Sequence, residues 1–498
     1  MRLGTMHHAG KRDSTVRHRP KGGVRPRLAM ALVALGLIAL AAVWGRQRVR
    51  APTELAYAVE LEGAARGQVD VTLQARGPLP RRLRLEQPGG LFHDPRGGAT
   101  VTPLAAWNLS GDGRRGAPLV LRPEGRAWTL IDAGPHGAVV QYRLTLPHGG
   151  AADADIRAHL SRCSGTGARV AGFHVFLLPE ALPVGAISVR FVGAPGGGAA
   201  RLAVPWPGAG SPDGIVYAPR DVRDLTDALV AWDDLRLHEQ DIGGCTVRLG
   251  VRGTWAFADR ELARLLLRLG EAEIAFFGSP PHRSMLILVD SNPLRGGTGF
   301  EYYGLHVGHS VLLLLDPALG WNDLADKVAS VAAHEMFHGW LGEEICPQSS
   351  DLNWFIEGAT SWYTARLLVD SGVWTARRAE EVVMGRIAQH YAHSPLRGRV
   401  SIAEAARGML RDGETTRFAY AGGTLAAERL DAWLAERSGR THPLDAVLRD
   451  LFARRGEGPL TRERLERALR RAQGADAHAW LDRHVYGIEP LPCPAAMF

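Results

Sequence analysis

The sequence predicts an α+β chain of several domains: β-rich in its first part, mixed α/β in the middle and helical towards its end. Three observations carry this expectation. A length of 498 residues points to two to four domains. Between residues 51 and 222, apolar side chains recur at every second position, and clusters of Gly and Pro separate the runs. From residue 259 onward, apolar residues return instead at the three-to-four-residue spacing of a helix.

Composition narrows the partners. At 46% hydrophobic, the chain can bury substantial cores. The formal charge of +7 resembles that of a nucleic-acid binder, but residues 1–50 hold eleven Lys or Arg against one acid, Asp13, so the remainder is net acidic. No nucleic-acid partner is expected for the globular part. Only Lys11, Lys21 and Lys327 are lysines, a bias towards Arg that fits high-GC bacterial coding.

In chain order, residues 1–27 read as a basic, disordered cytoplasmic tail. Residues 28–45 are eighteen residues without a charge, enough to span a bilayer. Basic residues are denser before this run than after it, which keeps the N-terminus cytoplasmic. The expectation is a single-pass anchor in the inner (cytoplasmic) membrane with the rest of the chain extracytoplasmic. The alternative is a signal peptide with Ala39-Leu-Ala41 as its cleavage site, and secretion.

Residues 51–220 form the β-rich domain. Val69, Val71 and Leu73 alternate with polar residues, as do Leu83 and Leu85, and Tyr142, Leu144 and Leu146. An antiparallel β-sandwich is expected, with no catalytic constellation in it. The Pro/Gly-rich stretch Pro205 to Gly214 leads to a second domain, residues 221–370. There a strand is expected at Thr246–Val251, a helix from Asp259 to about Phe277 with Leu262, Leu265, Leu266 and Leu269 on one face, and a strand at Met285–Asp290. A Gly-rich turn containing Glu301 precedes the apolar run Val311–Leu315, read as an edge strand able to pair with an extended peptide. Residues 371–498 form a helical subdomain.

The chemistry concentrates at His334-Glu335-Met-Phe-His338, completed by Glu357 in Trp354-Phe-Ile-Glu-Gly. Residues four apart on a helix share a face, so His334 and His338 can bind one Zn²⁺. Glu335 then stands beside the metal, where it can take a proton from an attacking water. A catalytic zinc takes a third protein ligand, and Glu357 completes a His₂Glu set. Asn322 or Asp323 can start this helix and Gly342 can end it.

These residues resemble the signature of the gluzincin zinc peptidases. Val331 before the motif and Gly339-Trp-Leu-Gly after it are similar to the alanyl-aminopeptidase branch. The overall layout resembles the glycyl-aminopeptidase family, although with the chain read to Phe498 no residues are left for the PDZ domain usual there. The resemblance implies a thermolysin-like catalytic domain with one Zn²⁺ per chain. It implies that Glu301, thirty-three residues before His334, binds the α-amine of a peptide substrate. It also implies that Tyr420, in Tyr-Ala-Gly-Gly, donates to the oxyanion while zinc polarises the same oxygen. Two departures stand out. Tyr302 follows Glu301 where the families carry Asn or His, and Leu341-Gly-Glu-Glu-Ile-Cys346 replaces the polar and basic residues usual after the zinc helix.

Four cysteines, Cys163, Cys245, Cys346 and Cys493, allow two disulfides, Cys346–Cys493 among them, or buried thiols. The expected protein is a membrane-anchored zinc peptidase acting as an aminopeptidase. A zinc endopeptidase and a non-catalytic peptidase-fold binding protein are the alternatives.

Overall fold

The computed structural model describes residues 51–88, 99–148, 159–193, 201–211, 214–292, 302–474 and 476–492. Pro52–Phe498 form one compact unit. Its first part is built on an eight-stranded sheet in the order Gly208–Ser211, Gly214–Tyr217, Val184–Val192, Thr53–Glu60, Gln68–Arg76, Gly137–Thr145, Thr100–Leu109 and Arg115–Pro118. Two four-stranded sheets accompany it. The alternation read from the sequence sets the faces. Leu55, Tyr57 and Val59 point inward from one strand, and Val69, Val71 and Leu73 from the next. They meet Leu83, Leu85, Trp128 and Leu130 of one small sheet and Val170, Val230 and Trp232 of the other in a shared core. One pairing departs from the antiparallel expectation: Thr53–Glu60 runs parallel to Val184–Val192.

A five-stranded sheet carries the second part, in the order Arg236–Ile242, Cys245–Val251, Ser284–Ser291, Ser310–Leu315, Tyr302–Val307. Cys245–Val251, Ser284–Ser291 and Ser310–Leu315 run parallel. Interior parallel strands are covered on both faces, which explains their unbroken apolar runs. The helix Asp259–Phe277 packs on one face through Leu262, Leu265, Leu266 and Leu269. Glu261 reaches back to the Ala258 amide at 3.1 Å and closes its first turn. On the other face, Leu286, Leu288, Leu312 and Leu314 meet Ala171, Leu229 and Ala231 of a small sheet.

Two expectations are corrected. The edge strand is Tyr302–Val307; Val311–Leu315 lies inside the sheet with every residue buried. A hairpin turn at Gly308 returns the chain inward, and the more apolar strand takes the covered position. The single-pass membrane placement is also not supported: no helix among the described residues is long and apolar enough to cross a membrane. The longest, Gly413–Ser438, is interrupted by Arg417, Glu428, Arg429 and Asp431. The apolar run 28–45 on which that placement rested, with the tail before it, lies outside the described residues.

Cys163, Cys245 and Cys346 are free thiols, and Cys493 lies outside the described residues.

Candidate active site

His334 and Glu335 sit in the last turns of the helix Ala329–Phe337, and His338 caps its end. Helical turns begin at Trp321, where Asp323 accepts from the Gly320 amide at 3.2 Å. The chain leaves the helix at Leu341 and Gly342, whose φ is +134°, a conformation that favours glycine. This kink aims the Leu341 carbonyl at His338, whose Nδ1–H donates to it at 2.9 Å.

Glu357 lies in the helix Asn353–Asp370, one turn past its start. Its Oε2 is 3.2 Å from His334 Nε2 and 3.4 Å from His338 Nε2. The two Nε2 atoms are 3.0 Å apart. Nδ1 of His338 is spent on a carbonyl and Nδ1 of His334 is 3.4 Å from Ser361 Oγ, and both Nε2 atoms turn towards the carboxylate. Three ligand atoms converging at this distance can hold a cation among them. Tetrahedral zinc ligands stand about 3.3 Å apart, so the donor set fits zinc. Burial works against charge here, yet the facing groups prevail. Glu357 and Glu335 raise His338 to about 9. The two imidazoles hold the Glu357 carboxyl well below the usual range despite its burial.

Tyr420 approaches from the long helix Gly413–Ser438, its ring 6.2 Å from that of His334. Burial, then the Glu357 and Glu335 carboxylates, pushes its phenol well above its ordinary value, so it stays a hydrogen-bond donor. The edge strand Tyr302–Val307 crosses directly over Glu335. A methyl group at Gly304 would overlap Val331 and the Glu335 side chain. Glu301, which precedes that strand in sequence, lies outside the described residues.

The structure therefore brings His334, Glu335, His338, Glu357 and Tyr420 to one place. Sequence reasoning missed Ser361, Gly304 and His306, whose Nδ1–H donates to the Glu335 backbone carbonyl at 2.9 Å. Ser361 sits one helical turn after Glu357, which is a readable signal. Gly304 and His306 become visible only once the strand order is known.

Residues 277–482 match the family described as the peptidase family M1 domain. That match and the donor set mark residues 277–482 as a zinc metallopeptidase domain. No curated protein sequence matches the chain. An aminopeptidase N family protein from Idiomarina loihiensis shares the fold at a TM-score of 0.72 with 20% identity, covering 88% of this chain and 77% of that one. The M1 zinc metallopeptidase from Deinococcus radiodurans aligns at a TM-score of 0.55 with 18% identity, covering 90% of this chain and 95% of that one. A mutant of the Deinococcus protein, bound to a Tyr-Ser-Ala substrate, aligns at 0.53 with 18% identity, covering 90% of this chain and 96% of that one.

Proposed function

We propose that this zinc metallopeptidase is an aminopeptidase that removes N-terminal residues from peptides. The observation that carries the reading is the passage of the edge strand Tyr302–Val307 over Glu335, with Glu301 next to it in sequence. A peptide pairing with this edge brings its backbone past the catalytic carboxylate. Glu301 then takes the α-ammonium one residue beyond the strand and limits how much chain can precede the cleaved bond. The tripeptide held by the Deinococcus relative is a ligand of this kind.

His334, His338 and Glu357 hold the metal. Bound zinc supplies Lewis-acid polarisation of the scissile carbonyl and of the attacking water. Glu335 takes the water's proton as the new C–O bond forms and delivers it to the departing amine as the C–N bond breaks. Tyr420 donates its phenolic hydrogen to the carbonyl oxygen as negative charge develops there.

The test compares matched peptides with free and acetylated N-termini, beside Glu335→Gln. Cleavage confined to free N-termini and lost in the variant is the expected result. Equal cleavage of acetylated peptides identifies an endopeptidase and removes Glu301 from the mechanism.

A further inference from the structure

Three loops bring a second group of ligating side chains together at one end of the catalytic sheet. His282 lies in the turn before strand Ser284–Ser291, His309 in the hairpin turn before Ser310–Leu315, and Glu343 in the kinked segment after the first His pair. All three are buried, and their ligand atoms lie within 4.8 Å of one another. His282 Nε2 is 3.0 Å from Glu343 Oε2, and His309 Nε2 is 3.7 Å from Glu343 Oε1. The two rings stack at 3.7 Å with 24° between their planes, and the Nε2 of each approaches the carboxylate.

We propose that His282, His309 and Glu343 bind a second divalent transition-metal ion, of the class that prefers imidazole with one carboxylate, zinc foremost. The proposal does not depend on the choice between exopeptidase and endopeptidase.

The outer contacts support it. His309 Nδ1 lies 3.2 Å from the buried Asp224 Oδ1, and a proton on Nδ1 would leave the Nε2 lone pair to ligate an ion. On His282 the outer carboxylate stands farther off. Its Nδ1 is buried without a hydrogen bond among the described residues and faces Glu344 Oε1 at 3.8 Å. Glu344 is itself held by Arg455 at 2.9 Å. A purely hydrogen-bonded network, with neutral His282 donating Nε2–H to Glu343, would leave its buried Nδ1 without a partner. Arg220 Nη2 stands 3.1 Å from His309 Nε2, but its side chain is 59% exposed and can turn to solvent when an ion arrives.

The ion would pin three loops together, and it would reach the catalytic site through His306. Nε2 of that residue is 3.0 Å from Glu343 Oε2, and its other nitrogen holds the Glu335 carbonyl. The second ion would therefore fix the edge strand against the helix that carries the catalytic carboxylate.

The test measures zinc by mass spectrometry in the full chain after saturation with Zn²⁺ and removal of loosely held metal. Two zinc ions per chain are expected for the wild type and one for Glu343→Gln. One ion in the wild type, or two in Glu343→Gln, overturns the proposal. Because that variant can fail to fold, zinc-edge anomalous scattering from wild-type crystals decides independently. A second peak between His282, His309 and Glu343 supports the site, and a peak at the first His pair alone overturns it.

Discussion

Gly358 and Gly423 touch backbone to backbone: a methyl group on Gly358 would overlap the Gly423 main chain, and one on Gly423 would overlap the Trp354 carbonyl. This crossing lets the helix of Glu357 and the helix of Tyr420 approach more closely than side chains allow. Glu357 is the residue before Gly358, and Tyr420 lies three residues before Gly423. Gly358→Ala is expected to destabilise the fold by about 1–3 kcal/mol through overpacking. It is also expected to weaken zinc binding, because Glu357 moves with its helix. Denaturant midpoints and zinc titration measure both, and unchanged zinc affinity would separate the crossing from the site.

Glu335→Gln keeps the shape of the side chain and removes its basicity. The Gly304 contact and the His306 bond to the backbone carbonyl remain available, so the helix should hold its place. General acid–base catalysis contributes about 10²–10⁴-fold. A fall in kcat of that order is expected, with zinc content unchanged. A variant that instead loses zinc would place Glu335 among the groups that hold the metal.

What could be read in advance was what is local in the chain. The His pair is four residues apart on one helix, and Glu357 follows within the next helix, so spacing alone assembles the zinc set. Leu262, Leu265, Leu266 and Leu269 likewise announced the helix Asp259–Phe277, whose cap comes from its own Glu261. The edge strand could not be settled this way. Tyr302–Val307 and Ser310–Leu315 are neighbouring runs of equal length, and only pairing with Ser284–Ser291 decides which lies inside. The same limit hid the Gly358–Gly423 crossing and the convergence of His282, His309 and Glu343, since each joins segments far apart in sequence. The unusual Glu343-Glu344 after the zinc helix was visible, but its partners were not.

Tyr420→Phe removes one donor aimed at the oxyanion and nothing from the metal ligands. Loss of a single such donor costs about 10²–10³ in kcat. KM should move little and zinc should stay bound. Because Glu357 lies beside the phenol, a small change in zinc affinity is compatible with this role. Undiminished kcat would leave Tyr420 as a packing residue.

Arg169 and Asp290 form a buried ion pair at 2.6 Å, their side chains 6% and 8% exposed. Arg169 lies in the small-sheet strand Ala168–Ala171 and Asp290 in the catalytic-sheet strand Ser284–Ser291, so the pair ties the two sheets where their apolar faces meet. Arg252 adds a second contact to Asp290 at 2.9 Å. Burial opposes ionisation of Asp290, but the guanidinium groups of Arg169, Arg252 and Arg162 outweigh it and hold the carboxyl below its ordinary value. A carboxyl lowered in the folded state stabilises fully above its unfolded value of about 3.9. That contribution is lost as pH falls through the lower folded value. Asp290→Ala leaves Arg169 buried without its partner, at a cost of about 3–5 kcal/mol near neutrality. Below about pH 4 the gap between wild type and variant should narrow, because protonation then removes the same charge from the wild type. Denaturant unfolding of both proteins across this range measures the gap, and a constant difference down to low pH would show that packing, rather than charge, joins the sheets here.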